Sequence, residues 1–373
     1  MPVSQVRSGP WPASVPNEQP LLLEVRHLSQ EFKVRTKLRA ETLSALSDVS
    51  FDVRPGEVLA IVGESGCGKS TLARSILQLP RPIAGEVLFH GRDLVPMRGR
   101  GLQVAMRGMQ MVFQDPYASL DPRKRVKDLV AEPMAVRGGM PRTERMERVA
   151  EVLARLGLDF KIHGRRRARE LSGGQCQRVA IARALAGDPE LVICDEPVAS
   201  LDVSVQAQIL NVFEDLRSEF KLAYLFITHD LGVARHVGDR IGVIYLGRLC
   251  EVGDAESIYS GPLHPYTGAL LSSAPSAPHA ARIRLLGEPA SAIHPPSGCR
   301  FRTRCPRATE LCATKEPPLV PVGTKRSVAC HYPLDTGSPT GALPSDAAPR
   351  PIAVPDQPGR ISPTQEGGPH GAR

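Results

Sequence analysis

Strand-like and helix-like patterns of apolar positions follow one another along most of the chain. Residues 21–62 read as strands in "LLLEVRHL", "VSFDV" and "EVLAIVG", and a helical pattern follows at residues 69–78. "GEVLFHG" and "MQMVF" are further strand patterns. Such an alternation of strands and helices predicts an α/β domain with a mostly parallel sheet.

The middle of the chain adds a helical block to this domain. Residues 125–190 carry a mostly helical pattern, with an apolar period in "RVAEVLARLGL". They are followed by a buried-strand run "LVICD", a helix "VQAQILNVFEDLRSEF" and two strands, "AYLFIT" and "IGVIYL". We therefore predict an α/β domain with a mixed sheet over residues 21–260, containing an inserted helical subdomain at about residues 115–170.

Composition changes at both ends of the chain. Residues 1–20 are rich in Pro and Ser, and residues 334–373 in Pro, Gly, Ala and Ser, so both are predicted to be disordered. Residues 261–333 form a small extension rich in Pro and Cys. We find no run of about eighteen apolar residues and no signal-peptide core, which predicts a cytosolic protein.

Charge and cysteine content narrow this picture only slightly. The net charge of +8 permits contact with nucleic acid, acidic lipid or nucleotide phosphates and selects none of them. The eight cysteines are not expected to form structural disulfides in a reducing compartment. Four are scattered over residues 67–250, whereas the others cluster in the extension: Cys299, Cys305, Cys312 and Cys330.

A phosphate-loop motif, "GESGCGKST" at residues 63–71, matches G-x-x-x-x-G-K-[ST] between a strand pattern and a helix pattern. Its glycines let the backbone turn N–H groups toward a polyphosphate, Lys69 supplies a positive charge, and Ser70 offers a hydroxyl to Mg²⁺. Cys67 is interpreted as a small residue that fits the loop rather than as a redox sensor. The residues predicted to contact nucleotide here are Gly63, Glu64, Ser65, Gly66, Cys67, Gly68, Lys69, Ser70 and Thr71.

Three further strand patterns end in polar residues that suit phosphoryl chemistry. "LVICDEP" places Asp195 at a strand end, to hold Mg²⁺ with Ser70, and Glu196 beside it, to polarise a water. "YLFITHD" places His229 at a strand tip, to contact the γ-phosphate or the attacking water. "MVFQDP" places Gln114 where its amide would bond a water and the metal. Ligands of open α/β sheets bind at this edge, so we expect one shared site.

"LSGGQCQR", residues 171–178, joins a helix-poor Ser-Gly-Gly run to the strong helix pattern "CQRVAIARALAG". We expect residues 172–174 to form a flexible cap whose backbone N–H groups and hydroxyl stay free at a helix N-terminus. Such an end is ready to bind an anion. The residues assigned to it are Ser172, Gly173, Gly174 and Gln175.

Six motifs occur in one order with suitable gaps: "GESGCGKST", "FQDP", "LSGGQ", "CDEP", "LD" at residues 201–202, and "ITHD". Together they resemble the P-loop ATPase core of ABC-transporter ATPase subunits. "SLDVSVQAQILN", "HPYTGALLS" and "PPSGCRFRTRCP" are similar to the oligopeptide/dipeptide importers, in particular to their F-type subunit. The resemblance covers residues 21–333.

The resemblance implies that two such subunits pair head to tail and share ATP. Residues 172–174 of one subunit then bind the γ-phosphate of a nucleotide held by the partner. Glu196 is implied as the catalytic base, Gln114 as the link to the membrane partner, and Asp202 as a residue of the dimer seam. Phe32 is either the aromatic side chain that stacks on adenine or a strand-core residue, and the sequence leaves both open.

The implied function is ATP hydrolysis that powers peptide import. The implied partners are a second ATPase subunit, two membrane permease subunits that dock on the helical block, and indirectly an extracytoplasmic solute-binding protein. The chain would then lie at the cytoplasmic face of the plasma membrane. An importer of nickel or another small solute is one alternative. A soluble ABC-type ATPase acting on nucleic acid or ribosomes is another, but the sequence shows no coiled-coil or zinc-hook insertion, so no nucleic-acid partner is predicted.

Three positions depart from the usual pattern of the resembled family. "VASLD" reverses the commoner order of Ser and Ala, Cys176 stands where Arg is common, and Asp121 stands where Asn is usual. The first moves a seam hydroxyl by one residue, and the second removes a positive charge near the Ser-Gly-Gly run. None of them touches Lys69 or Glu196, so a competent ATP site is expected.

The late cysteines have the spacing C-x5-C-x6-C-x17-C, which is neither a common zinc-ribbon nor a familiar ferredoxin pattern. Arg300, Arg302, Arg304 and Arg307 lie among them, and their charge is expected to lower the thiol pKa values and favour thiolate ligands. A tetrathiolate site would also staple a segment too short for its own core. The resemblance implies a [4Fe-4S] cluster, and zinc or free thiols stay open as alternatives.

Overall fold

The computed structural model describes residues 20–35, 39–199, 201–273, 288 and 290–334, here called the described chain. The two segments expected to be disordered, residues 1–20 and 334–373, lie outside these ranges except for Pro20 and Leu334. Within the described chain, two β-sheets and a set of flanking helices form the fold.

The smaller sheet is antiparallel. Its strands are β1 (Leu23–Arg35), β2 (Ala40–Val53), β4 (Ala84–Phe89) and β5 (Arg92–Asp93), in the spatial order β2-β1-β4-β5. The strand patterns predicted only the inner part of the β1–β2 hairpin, at residues 21–28 and 49–53. The outer part pairs as well, for example Phe32 with Leu43, but it is half exposed and therefore lacks a clear apolar alternation.

The larger sheet is mixed, as predicted, with a parallel centre. Its strands are β3 (Val58–Val62), β6 (Met109–Val112), β7 (Leu191–Asp195), β8 (Ala223–Thr228), β9 (Arg240–Tyr245), β10 (Arg248–Asp254), β11 (Val320–Pro321) and β12 (Arg326–Val328). The order is β11-β12-β10-β9-β3-β8-β7-β6, in which β9, β3, β8, β7 and β6 run parallel. Every residue of β3, β7 and β8 is buried, which explains their unbroken apolar runs.

Helices flank this sheet and fill the segment between β6 and β7. They are α1 (Lys69–Ile76), α2 (Gly99–Ala105), α3 (Pro116–Ser119), α4 (Val126–Arg137), α5 (Arg142–Arg155), α6 (Phe160–His163), α7 (Gly173–Leu185), α8 (Val203–Phe220), α9 (Leu231–Val237), α10 (Ala255–Ser260), α11 (Pro265–Ser273) and α12 (Glu310–Thr314). α4, α5 and α7 share an apolar core that contains Leu129, Val149, Leu153 and Val179. No helix of the described chain is long and apolar enough to span a bilayer.

The C-terminal extension is built onto the larger sheet. β12 pairs with β10 and places Val328 beside Glu251. The Glu251 side chain is 0% exposed and accepts hydrogen bonds from the N–H groups of Leu263 (2.9 Å) and His264 (3.0 Å) and from Arg326 Nε (2.9 Å). Because a buried carboxylate needs both a cation and hydrogen bonds, this one residue ties two parts of the extension, residues 263–264 and Arg326, to the sheet.

Candidate functional site

The phosphate-loop motif forms the turn between β3 and α1. Gly66 and Gly68 have left-handed φ values of 78° and 104°. A Cβ at Gly68 would lie 2.4 Å from the Ala45 carbonyl oxygen, and one at Gly63 only 2.2 Å from the Ile244 carbonyl oxygen. The loop therefore requires glycine at these positions, and its bare backbone can approach an anion at the start of α1.

Lys69 is buried within this loop, at 4% exposed. Its Nζ donates to the carbonyl oxygens of Gly63 (2.7 Å) and Glu64 (3.0 Å) and lies 3.6 Å from Glu196 Oε1. An ammonium group carries three N–H donors, so one remains for a phosphate oxygen. The loop thus holds a desolvated positive charge beside its backbone amides.

The four strands that lead to the predicted catalytic residues end level with one another. The register pairs Val112 with Cys194, Asp195 with Ile227, and Val62 with Thr228. The segments that follow these strands therefore meet at one edge of the sheet. They bring together the phosphate loop after β3, Gln114 after β6, Glu196 after β7 and His229 after β8.

Glu196 lies at the centre of this edge, with its side chain 14% exposed. Its Oε2 accepts a hydrogen bond from Gln114 Nε2 at 3.3 Å and lies 3.3 Å from His229 Nδ1. The backbone of Glu196 has a φ of 47°, a left-handed conformation that turns the chain out of β7 directly after Asp195. These contacts hold the Glu196 carboxylate beside Lys69, where it could act as a general base.

Asp195 has the environment of a metal ligand. It is 1% exposed, and burial raises the pKa of its carboxyl group. Ser70 Oγ donates a hydrogen bond to its Oδ1 at 2.9 Å, and no cationic side chain of the described chain lies within ion-pair distance. A buried carboxylate that forms no ion pair is costly to keep charged, and carboxylate and hydroxyl oxygens suit Mg²⁺, so the Ser70–Asp195 pair fits this ion. Gln114, the third predicted ligand, contacts Glu196, and its metal contact stays a prediction.

The Ser-Gly-Gly run begins α7 with a capping box. Ser172 Oγ accepts the Gln175 N–H at 3.3 Å, and Gln175 Oε1 accepts the Ser172 N–H at 3.1 Å. The expectation of a free hydroxyl is therefore wrong for its oxygen, which caps the helix, although its hydrogen is still available as a donor. The N–H groups of Gly173 and Gly174 have no hydrogen-bond partner in the described chain, and nothing there joins this helix end to the phosphate loop.

Asp202 caps the next helix, α8, close to this end. Its Oδ1 accepts the Val205 N–H at 2.9 Å and the Ser204 hydroxyl at 2.7 Å. α7 and α8 pack tightly here, since a Cβ on Gly174 would lie 2.7 Å from Val205 Cγ1. Asp202 thus has a structural role within its own subunit, and its place at a dimer seam stays a prediction.

Phe32 lies on β1, next to the strand that touches the phosphate loop. It pairs with Leu43 of β2, and two residues further on the Ala45 carbonyl approaches Gly68. The Phe32 side chain is half-buried and belongs to none of the three apolar clusters found in the described residues. This disfavours the strand-core alternative, and stacking on adenine stays a prediction.

The scattered cysteines are packing residues. Cys67, Cys176, Cys194 and Cys250 are all buried. Burial raises the pKa of Cys67 to about 11, so its thiol is protonated at neutral pH and unsuited to a redox role. Cys176 Sγ donates to the Ala168 carbonyl oxygen at 3.2 Å. Cys176, which stands where Arg is common in the family, therefore helps to pack α7.

The four late cysteines, here called the cysteine quartet, line one small cavity of the extension together with His264 and Tyr332. Four thiols around one cavity are the donor set of a tetrathiolate site. Among the described residues, however, no three His, Cys, Asp or Glu side chains form a ready site for a metal ion. The structure therefore leaves the occupant of the quartet unassigned.

The expected lowering of the thiol pKa values by arginine is wrong for Cys299, Cys305 and Cys330, because burial raises the pKa of each of them. Burial raises the pKa of Cys305 to about 12 and that of Cys330 to about 11. The arginines between the cysteines donate their hydrogen bonds elsewhere: Arg300 to the Leu246 carbonyl, Arg302 to the Ser297 carbonyl, Arg304 to the Glu64 carboxylate and Arg307 to the Pro333 carbonyl. For Cys305 and Cys330, desolvation therefore outweighs the positive charges, and these two thiols are protonated at neutral pH.

Two contacts from the extension to the phosphate loop escaped the sequence analysis. Arg304 pairs with Glu64, and the Tyr266 hydroxyl accepts the Glu64 N–H. Arg304 lies in "PPSGCRFRTRCP" and Tyr266 lies in "HPYTGALLS", the motifs that were used to assign the family. The one available signal was Glu64 itself, because a carboxylate inside an anion-binding loop needs a compensating cation.

This fold and this site define an ABC-transporter ATPase. Residues 46–199 match the family described as "ABC transporter". MJ0796, an ATP-binding cassette solved as a dimer in a post-hydrolysis state with ADP and Pi, is 30% identical with a TM-score of 0.57, covering 62% of this chain and 98% of that one. CbiO1 of Clostridium perfringens, part of the transporter complex cbiONQ, is 28% identical with a TM-score of 0.56, covering 65% and 92%.

The relatives and the extension narrow the class to one family. Residues 250–312 match "Oligopeptide/dipeptide transporter, C-terminal region". The oligopeptide transport ATP-binding protein AppF of Bacillus subtilis is 46% identical over 84% of this chain and 98% of its own length. The di/tripeptide transport ATP-binding protein DppF of Pseudomonas aeruginosa is 44% identical over 83% and 97%. This chain therefore belongs to the oligopeptide/dipeptide family of ABC-transporter ATP-binding proteins, which confirms the resemblance seen in the motifs.

Proposed function

We propose that this chain is the ATP-hydrolysing subunit that powers peptide import through a membrane ABC transporter. One observation carries the proposal: a single sheet edge gathers Lys69, the Ser70–Asp195 pair and Glu196 around the phosphate loop. ATP hydrolysis needs a positively charged group that binds the phosphates, a site for a metal ion and a general base. The names of the relatives, which transport oligopeptides or di- and tripeptides, indicate the cargo class.

In the proposed site, the backbone N–H groups of residues 63–71 and the Lys69 ammonium hold the triphosphate, and Phe32 stacks on adenine. Ser70 and Asp195, with Gln114, hold Mg²⁺, which neutralises charge on the phosphate oxygens when it is bound. The support for this arrangement is the buried carboxylate of Asp195, which forms no ion pair in the described chain and accepts a hydrogen bond from the Ser70 hydroxyl.

Hydrolysis requires a base and a fixed water. Glu196 accepts a proton from the water whose oxygen forms a bond to the γ-phosphorus, while the bond from that phosphorus to the β–γ bridging oxygen breaks. The products are ADP and inorganic phosphate. Gln114 and His229, each 3.3 Å from the Glu196 carboxylate, orient it and the water.

The N–H groups of Gly173 and Gly174, which have no hydrogen-bond partner in the described chain, support the need for a second ATPase subunit. The N–H groups of residues 173–174 and the Ser172 hydroxyl hydrogen bind the γ-phosphate of ATP held by the other subunit, which is either identical or related. Asp202 then lies in the seam. The dimeric state of MJ0796 supports this arrangement.

The further partners follow from the transport role. Two permease subunits dock their cytoplasmic coupling helices on the block formed by α3 to α6, and a solute-binding protein delivers the cargo from outside. The chain then works at the cytoplasmic face of the plasma membrane, without a nucleic-acid partner. The importer of nickel or another small solute stays the second candidate for the cargo.

Reconstitution tests this function. In proteoliposomes, the chain together with two permease subunits, a second ATPase subunit and a solute-binding protein is expected to take up a labelled tripeptide in an ATP-dependent manner. Uptake should vanish with Lys69→Ala, which removes the charge on the phosphates. Uptake of nickel in place of the peptide would favour the small-solute importer. Purification with nucleic acid and without permeases would contradict transport.

For the cysteine quartet we propose a [4Fe-4S] cluster, with zinc as the alternative. The support is the donor set of four thiols around one cavity. The raised thiol pKa values mean that loading must release protons, so binding should weaken as the pH falls.

Metal analysis of the anaerobically purified chain tests the cluster. We expect about four iron and four sulfide ions per chain, with visible charge-transfer absorbance. Cys305→Ala should lose them, and Cys250→Ala, a buried cysteine outside the quartet, should keep them. One zinc ion per chain, or no metal at all, would contradict the cluster and favour the corresponding alternative.

A further inference from the structure

Two residues of the C-terminal extension, Arg304 and Tyr266, contact the phosphate loop at Glu64. Arg304 Nη1 lies 2.7 Å from Glu64 Oε2 and Nη2 lies 3.1 Å from Oε1, a bidentate ion pair. Arg304 is 9% exposed and the Glu64 side chain 25% exposed. The Glu64 N–H also donates to the Tyr266 hydroxyl at 2.9 Å. The side chain and the backbone of one loop residue are therefore both held from outside the loop.

Aromatic packing keeps the Arg304 guanidinium in place. Tyr245, Tyr266 and Phe301 form a buried cluster, with ring centroids 4.7 Å apart for the two tyrosines and 5.3 Å from each tyrosine to Phe301. The guanidinium lies 6.0 Å from the centre of the Tyr245 ring, and Arg304 Nε is buried without a hydrogen-bond partner in the described chain. A largely buried cation depends strongly on its one carboxylate, so the pair is tightly coupled.

Glu64 connects this pair to Lys69. The Glu64 carbonyl accepts the Lys69 Nζ at 3.0 Å, and the neighbouring Gly63 carbonyl accepts it at 2.7 Å. A displacement of Glu64 would therefore move the acceptors that hold the lysine.

Phosphate binding alone gives no reason for a carboxylate at this position. The phosphate-loop pattern leaves position 64 unspecified. A carboxylate in this loop repels a triphosphate unless a cation compensates it, and Arg304 is the cation that does so.

We propose that Arg304 is a positioning residue of the ATPase, which fixes and neutralises Glu64 so that the C-terminal extension sets the affinity of the phosphate loop for ATP. This inference rests on the ATP site and is independent of the cargo.

Arg304→Met in the full-length chain tests the inference. The Kd for ATP, measured by displacement of a fluorescent ATP analogue, is expected to rise about tenfold, because one negative charge beside the phosphates loses its partner. The KM for ATP of the assembled transporter should rise by the same factor, with kcat within about twofold of wild type, since Glu196 is untouched. The double variant Glu64→Gln/Arg304→Met removes both charges and should return Kd to within about twofold of wild type.

Arg302→Met is the matched control, because this neighbouring arginine bonds Ser297 instead of the loop, and its Kd should be unchanged. If Arg304→Met does not fold, as circular dichroism would show, Glu64→Gln replaces it. That variant keeps the cation without the carboxylate and should bind ATP more tightly than the wild type. A purely structural role would lower the melting temperature without changing Kd, and this result would overturn the proposal. A double variant that keeps the raised Kd, or that binds as tightly as Glu64→Gln, would overturn it as well.

Discussion

Replacing Glu196 with glutamine will slow ATP hydrolysis by about 10²- to 10⁴-fold, the contribution expected of a general base. The substitution removes the proton acceptor but keeps a side chain of the same size beside Gln114 and His229. It also removes a negative charge 3.6 Å from Lys69 Nζ, so ATP binding should be kept or strengthened. The ATP-bound pair of subunits should therefore accumulate. Phosphate release, the Kd for ATP and size-exclusion chromatography with ATP measure these three effects.

Glu190→Gln is the matched control for this variant. Glu190 directly precedes β7, which Glu196 follows, and its side chain is 56% exposed beside His90. Its loss should leave hydrolysis at the wild-type rate. Turnover by Glu196→Gln within about tenfold of wild type would show that the base is another group, and His229 would be the first to test.

Gly173→Asp will prevent the ATP-driven pairing of subunits and lower hydrolysis by about 100-fold or more. A Cβ at Gly173 meets nothing closer than Leu201 Cδ2 at 3.8 Å, so the folded subunit accepts a side chain there. The new carboxylate would occupy a helix N-terminus that has to receive a phosphate, and the two anions repel. The variant should still bind ATP on its own phosphate loop with unchanged Kd.

Gly173→Ala separates charge from size at the same position. It fills the same space without a charge and should keep most of the pairing, with hydrolysis within about fivefold of wild type. Analytical ultracentrifugation with ATP, on each substitution combined with Glu196→Gln, measures the pairing directly. Normal pairing by Gly173→Asp would show that the end of α7 does not contact the partner's nucleotide.

The centre of the molecule could be predicted because its signals are local. β3, β7 and β8 are buried at every position, so each reads as an unbroken apolar run, and the catalytic candidates stand directly after these runs. The β11–β12 edge of the larger sheet has no such signal. β11 has two residues and β12 has three, which is too short for any periodicity, and the strand that β12 joins, β10, lies far away in the chain.

The sequence could predict which residues belong to the site but not which partners their side chains contact. Ser172 was expected to offer a free hydroxyl, yet its oxygen accepts the backbone N–H of Gln175 and so caps the helix. The arginines near the quartet were expected to act on the thiols, but Arg304 reaches a partner 240 positions earlier. The effect of a charge on a pKa depends on distance in the folded structure. Spacing along the chain does not show where a long side chain points.

The Glu251–Arg326 pair limits how this protein can be shortened in evolution. Glu251 lies on β10 of the larger sheet, whereas Arg326 follows 75 positions later, between Cys312 and Cys330. Loss of the segment that carries Arg326, by a premature stop codon or a protease cut, would leave the buried Glu251 carboxylate without this cation, with only the N–H groups of Leu263 and His264 donating to it. Glu251 would have to be replaced before the extension could be lost. We therefore expect the C-terminal extension and the ATPase domain to be inherited together.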